Sequence, residues 1–244
     1  MRIATIIQAR MGSTRLPGKV MKDIKGKPVL AHVIERVIQS KLIEDIVVAT
    51  TIHERDDIVK AIAIKLGVKF FRGSEDDVLS RYYCAAKEHN VDVVVRITSD
   101  CPLIDPKVVD EIVGFYLGKQ YDLVTNAGSD LTQRTYPRGL DTEVFSFMVL
   151  EEAFNNAKEK YQREHVTPYI YETSKKVYWY RKDIDYSRYR WTLDTAEDFE
   201  LIKRIYNRLY QGCHDFYLDD ILDLFRQKPS LFMINAHIKQ RDKG

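Results

Sequence analysis

The sequence is poor in the residues that build several familiar kinds of site. Its three cysteines, Cys84, Cys101 and Cys213, are odd in number and far apart in 244 residues. That argues against a disulfide framework and against a CxxC zinc centre. Charge of one sign is also missing, since 38 Lys+Arg stand against 36 Asp+Glu for a net +2. A nucleic-acid binder carries a one-sided basic excess, so no nucleic-acid partner is expected. No apolar run approaches the roughly 20 residues of a membrane span. The opening MRIATIIQAR has only a short apolar run with no small-residue cleavage site behind it. A cytoplasmic protein without membrane contact is therefore the expectation. The dinucleotide motif GxGxxG is absent, and so is a Walker A loop: five residues rather than four separate Gly12 from Gly18, and Val20 follows Lys19.

What is present is alternation of strand and helix. Apolar runs predict strands over 3–7, 43–51, 68–71 and 91–98, and helical periodicity falls at 28–40, 56–66 and 76–89. Gly67 is placed to end the second helix and Pro106 to open the one after the fourth strand. This order implies an α/β fold with a mainly parallel sheet flanked by helices. The pattern loosens after 121–126, with a polar loop at 128–139. Strand-like runs follow at 140–147, 177–181 and 190–194, and helices at 148–158, 195–210 and 218–226. No repeat or linker divides the chain, so residues 1–244 are read as one domain.

Directly behind the first strand lies Gln8-Ala9-Arg10-Met11-Gly12-Ser13-Thr14-Arg15-Leu16-Pro17-Gly18-Lys19. Ligands of open α/β sheets collect at the carboxyl ends of strands. Gly12 and Gly18 let backbone amides approach an anion, and Arg10, Arg15 and Lys19 supply fixed positive charge. A polyphosphate needs that combination, although the same loop would serve as a solvated connection. Two aspartates are predicted on the same rim. Asp100 follows the strand VDVVVRIT, and Asp194 ends RWTLD just before a helix. Two separated carboxylates beside a triphosphate suit Mg2+, which takes few protein ligands and fills its octahedron with water and phosphate oxygens. Each also has a plain alternative. Asp194 could cap the helix with Glu197 completing a box, and Asp100 could be a turn residue ahead of Pro102.

The segments RIATIIQARMGSTRLPGKVM, RITSDCPLIDP, TYPRGLDTEVF, REHVTPYIY and RWTLDTAEDFELI together resemble the sugar-acid cytidylyltransferases. These are the CMP-KDO and CMP-sialic acid synthetases, and the likeness is strongest to the spore-coat polysaccharide SpsF-type branch. It runs from Met1 to about residue 205. The resemblance implies a Rossmann-like nucleotide-diphospho-sugar transferase fold, GT-A-like, with a small excursion at 128–190 for acceptor binding and dimerisation. It also implies a magnesium-dependent transfer of CMP from CTP to an acidic sugar, with release of pyrophosphate, in surface polysaccharide biosynthesis by a homodimer.

Carried over residue by residue, the resemblance places CTP on Gln8, Ala9, Arg10, Gly12, Ser13, Arg15 and Lys19, and the metal on Asp100 and Asp194. Arg10, Lys19, Asp100 and Asp194 are the expected catalytic groups. Asp77, Arg81, Arg96 and Thr98 are nucleoside candidates, with Thr98 standing where the CMP-KDO branch has Gln. Glu75 and Asp76 read as carboxylates favoured by a helix dipole. Arg138, Asp141, Glu143, His165 and Arg190 are the acceptor-side candidates; Asp141 and Glu143, two apart on a strand, would share a face. Cys101 adjoins Asp100 without an identifiable activating base. Two other classes compete. A glycosyltransferase of the same fold would be expected to carry a DxD motif, which Asp100-Cys101-Pro102 lacks. A non-catalytic nucleotide binder would have no need of both Asp100 and Asp194.

Overall fold

The computed structural model describes residues 1–128 and 130–239. Ser129, within the predicted excursion, and 240–244 lie outside the described residues. The first half runs β1 (Ile3–Gln8), β2 (Asp23–Ile24), β3 (Lys27–Pro28), α1 (Val29–Val37), β4 (Asp45–Thr51), α2 (Asp57–Lys65), β5 (Lys69–Gly73), α3 (Val78–Glu88), β6 (Val93–Thr98) and α4 (Pro106–Leu117). The second half runs β7 (Leu123–Thr125), β8 (Glu143–Ser146), α5 (Phe147–Asn156), α6 (Lys160–His165), α7 (Pro168–Thr173), β9 (Val177–Trp179), α8 (Ala196–Leu209) and α9 (Leu218–Gln227).

Seven strands form one sheet in the order β5-β4-β1-β6-β8-β7-β9. β5, β4, β1 and β6 run parallel, β8 is antiparallel to both β6 and β7, and β9 is parallel to β7. The central strands are apolar throughout because both faces are covered, as a parallel sheet with crossover helices requires. Ile3 and Ile7 of β1 face a core built with α1, α4, α8 and α9. Ala4 and Ile6 face the other core, against α3 and α5. The architecture is the expected Rossmann-like, mostly parallel mixed sheet flanked by helices.

Several elements differ from expectation. Residues 190–194 are not a strand of the sheet. They make one bridge, Arg190 with Arg138, and otherwise hold an irregular course. Burial of Trp191 and Leu193 anchors them in the core instead of a ladder. Gly139 makes the approach possible, at φ 101, where an added Cβ would lie 2.6 Å from the Trp191 carbonyl carbon. Thr195, not Asp194, caps α8, and Asp198 rather than Glu197 completes the box. The short helices α6 and α7, with Val166 at φ 74 between them, and the β2–β3 hairpin were not legible in periodicity. Helices of six residues are too short to show an amphipathic repeat. Among the described residues no helix is long and apolar enough to cross a membrane.

Candidate active site

β1 and β6 are paired in register up to Gln8 and Thr98, so the loops that follow leave the same rim side by side. Between them opens a cleft of about 260 Å³. One wall is the phosphate-binding candidate: Gln8, Ala9, Arg10, Gly12, Ser13, Arg15 and Lys19 all line it. The other carries Arg81, Thr98, Asp100, His165 and Asp194.

The turn is held in shape by its own backbone and by a buried carboxylate. Gly18 N–H donates to the Met11 carbonyl at 3.2 Å, with Gly18 at φ 64. Met11 N–H donates to Asp56 Oδ1 at 2.6 Å, and the Thr51 hydroxyl donates to the other oxygen of Asp56. The loop is thereby tied to the turn that follows β4.

Asp100 and Asp194 converge. Lys19 Nζ donates to Asp100 Oδ2 at 2.6 Å and to Asp194 Oδ1 at 2.9 Å. Arg15 reaches the same Asp194 oxygen at 2.8 Å. Burial alone would raise the Asp100 carboxyl, but the Lys19 charge and the Lys19 and Thr98 hydrogen bonds outweigh it and hold it at about 2. Burial would likewise lower the Lys19 ammonium, yet the two carboxylates raise it. Asp194 is oriented from behind: Arg190 Nη2 donates to its Oδ2 at 2.9 Å and Arg190 Nε to Asp198 Oδ1 at 2.9 Å. Asp198, fully buried, also accepts from the Asp194 and Thr195 amides at 3.0 Å each. Arg190, expected at the acceptor, therefore supports Asp194.

Other expectations land elsewhere. Arg96 and Glu143 are ion-paired with each other, and Glu143 also accepts from Thr167 at 3.0 Å and Tyr171 at 2.7 Å. Arg96 donates onward to Gln8 Oε1 at 3.2 Å, so it positions a cleft residue from beneath. Asp77 caps α3 through Ser80 N–H at 2.9 Å and pairs with Arg163 at 3.1 Å. Asp141 receives both terminal nitrogens of Arg134, at 2.6 and 3.1 Å. Asp141 and Glu143 do not share a strand face as expected, because β8 begins only at Glu143. Arg138 is half-buried near Arg134 and Arg190, and among the described residues it makes no ion pair. Cys101 is buried, and burial with the neighbouring Asp100 charge pushes its thiol well up, which leaves it inert as a nucleophile.

Sequence reasoning missed Arg134, whose partner Asp141 is seven residues away in a segment without periodicity. It also missed His53 and Arg55, which with Arg10 surround Glu75. Glu75 was read only as a helix-dipole carboxylate, since nothing local to it announces cations from two other loops.

Comparison with known proteins accords with this geometry. Residues 4–235 match the family model described as cytidylyltransferase. An uncharacterised protein of Methanocaldococcus jannaschii is 40% identical over 246 residues, covering 99% of this chain and 97% of its own. The spore coat polysaccharide biosynthesis protein SpsF of Bacillus subtilis is 32% identical over 233 residues, covering 93% of this chain and 95% of its own. A solved cytidylyltransferase from Leptospira borgpetersenii superposes with a TM-score of 0.90 at 38% identity, covering 99% of both chains. A CMP-2-keto-3-deoxy-manno-octonic acid synthetase solved with CTP shares the fold, at a TM-score of 0.67 and 18% identity over 85% of this chain and 99% of its own. With its sheet-edge cleft, its glycine-bearing basic turn and a family match over nearly its whole length, the chain belongs to the cytidylyltransferase family and is a CTP-dependent nucleotidyltransferase.

Proposed function

We propose that this enzyme, with Mg2+, transfers CMP from CTP to a hydroxyl of a small acidic sugar and releases pyrophosphate. The observation that carries the reading is the pair Asp100 Oδ2 and Asp194 Oδ1, which share one cation, the Lys19 ammonium, at 2.6 and 2.9 Å. Two carboxylate oxygens close enough to flank a single positive charge are hard donors of the kind Mg2+ takes, with phosphate oxygens and water completing the shell. The set fits the ion. Asp100 and Asp194 would hold it. When bound, the ion would neutralise phosphoryl charge and lower the pKa of the attacking hydroxyl.

The remaining chemistry belongs to the chain. Gly12 lines the cleft and lets the turn approach the triphosphate, Gly18 closes the turn through Met11, and Arg10, Arg15 and Lys19 compensate the charge that builds on the leaving pyrophosphate. The acceptor oxygen forms a bond to the α-phosphorus as the bond to the β-phosphate oxygen breaks, and the hydroxyl proton passes to solvent. Asp100 is already engaged by hydrogen bonds from Lys19 and Thr98 and is not assigned as the base for the hydroxyl proton. It serves as charge and ligand instead. Arg138, beside the Arg134–Asp141 pair, supports a carboxylate-bearing acceptor, since a half-buried guanidinium is suited to bidentate anion binding. His165 lines the cleft itself, which Arg138 does not, and is a second acceptor contact. The likeness to the SpsF protein supports a place in polysaccharide biosynthesis.

A matrix of nucleoside triphosphates against acidic sugars, with Mg2+ and read by pyrophosphate release, tests the reading. Turnover is expected with CTP and a keto-sugar acid. Release with UTP or GTP but not CTP overturns the nucleotide assignment, and turnover with neutral sugars alone overturns the acceptor class.

A further inference from the structure

Beside the cleft, two arginines and a histidine close on one carboxylate. Glu75, from the loop between β5 and α3, accepts from Arg10 Nη1 at 3.3 Å and His53 Nε2 at 2.8 Å, and it is paired with the Arg55 guanidinium. Its side chain is 16% exposed, whereas those of Arg55 and His53 are about half exposed, at 51% and 53%. The cluster hangs directly over the phosphate turn: a Cβ added at Gly12 would lie 2.7 Å from Glu75 Oε1 and 3.0 Å from Arg55 Nη2. Arg10 belongs to both places, lining the cleft and touching Glu75.

The turn that carries His53 and Arg55 is built to a fixed position. Asp56, fully buried, binds the Met11 amide at 2.6 Å, so this turn and the phosphate loop move as one piece. Arg72 holds its backbone from the other side, donating to the Thr51 carbonyl at 2.8 Å and the His53 carbonyl at 2.9 Å. Two guanidiniums and an imidazole thus face the single Glu75 carboxylate. Two guanidiniums gathered over Gly12, one of them two residues before it in the turn, suit phosphoryl oxygens.

We infer that Arg55 and His53, with Arg10, form a subsite for the terminal phosphoryl groups of the nucleotide, and that the Glu75 carboxylate fills it until the triphosphate displaces it. This rests on the cytidylyl-transfer reading and extends it to residues outside the phosphate loop. The β- and γ-phosphates carry more charge than one carboxylate, so they win the exchange on Arg10 and Arg55. Once the α–β bond breaks, the same cations hold the pyrophosphate, and Glu75 is placed to compete it off.

The test is binding of inorganic pyrophosphate, CTP and CMP by titration calorimetry with the wild type, Arg55→Ala and Glu75→Gln. Losing one arginine–phosphate contact weakens pyrophosphate and CTP about tenfold or more in Arg55→Ala, with CMP unchanged. Removing the competitor tightens pyrophosphate severalfold in Glu75→Gln. Pyrophosphate bound by Arg55→Ala as tightly as by wild type overturns the subsite. So does an equal loss for CMP, which makes Arg55 a structural residue, and so does weaker pyrophosphate binding by Glu75→Gln. Wild type that binds neither CTP nor pyrophosphate refutes the cytidylyl reading itself.

Discussion

The Leu193 amide donates to the Asp100 carbonyl at 2.8 Å, and through that one backbone bond the two aspartates of the cleft meet. Thr192 reinforces it with a hydroxyl contact to the same carbonyl at 3.4 Å. Asp100 and Asp194 are distant in sequence and lie on segments that share no ladder. What joins them is the irregular run 190–194, pressed against the loop behind β6 by burial of Trp191 and Leu193.

Asp100→Ala removes one of two preorganised charges at the reacting phosphates. Turnover should fall roughly 100-fold or more, the range seen when one such electrostatic element is lost. Pyrophosphate release at saturating Mg2+ measures it. A variant that turns over near the wild-type rate, with its fold intact by circular dichroism, sinks the assignment of Asp100.

Arg138→Ala tests the acceptor side separately. A charge-assisted contact is worth about 1.5–3 kcal/mol, so KM for the acidic acceptor should rise by about tenfold or more. KM for CTP should stay where it was. An unchanged acceptor KM removes Arg138 from the pocket.

Arg190→Met should damage stability as well as activity. Arg190 is 7% exposed and bridges Asp194 to Asp198, whose side chain has no exposure. Truncating the cation strands the buried Asp198, while Asp194 keeps Lys19 and Arg15, at a cost of about 3–5 kcal/mol. Urea unfolding reads the loss, and a change below about 1 kcal/mol contradicts the supporting role.

Acid should weaken the fold through His214. Burial, then the charges of Arg36, His32 and Lys27, lowers its pKa from 6.5 to about 3. His32, also lowered by burial, donates from Nε2 to the Ile24 carbonyl at 2.8 Å, so its other nitrogen accepts from His214 Nε2 at 2.8 Å. Between 6.5 and about 3 the unfolded chain binds a proton at His214 that the folded one does not. This contribution is whole above 6.5 and falls by about 1.4 kcal/mol per pH unit below it. Denaturation at pH 7, 6 and 5 should show a shallower decline in His214→Gln than in the wild type; parallel curves refute the linkage.

The amino-acid sequence by itself determined the parallel half of the sheet and the basic turn behind its first strand. Strands buried on both faces read as unbroken apolar runs, and glycine and cation spacing is local information. It marked Asp100 at the end of an apolar run, and Asp194 through the family resemblance of RWTLD rather than through its local pattern. The tertiary structure decided their partners. Arg190 was legible as a cation, but only packing shows that Asp198 and Asp194 claim it. Arg96 and Glu143 look like site residues until antiparallel β8 sets them opposite each other. Glu75 with His53 and Arg55 brings together two loops, and Arg134 with Asp141 closes one, all without hydrophobic periodicity. Polar side chains on irregular backbone leave no repeat in the sequence, and their pairings exist only once the sheet has brought its loops to one rim.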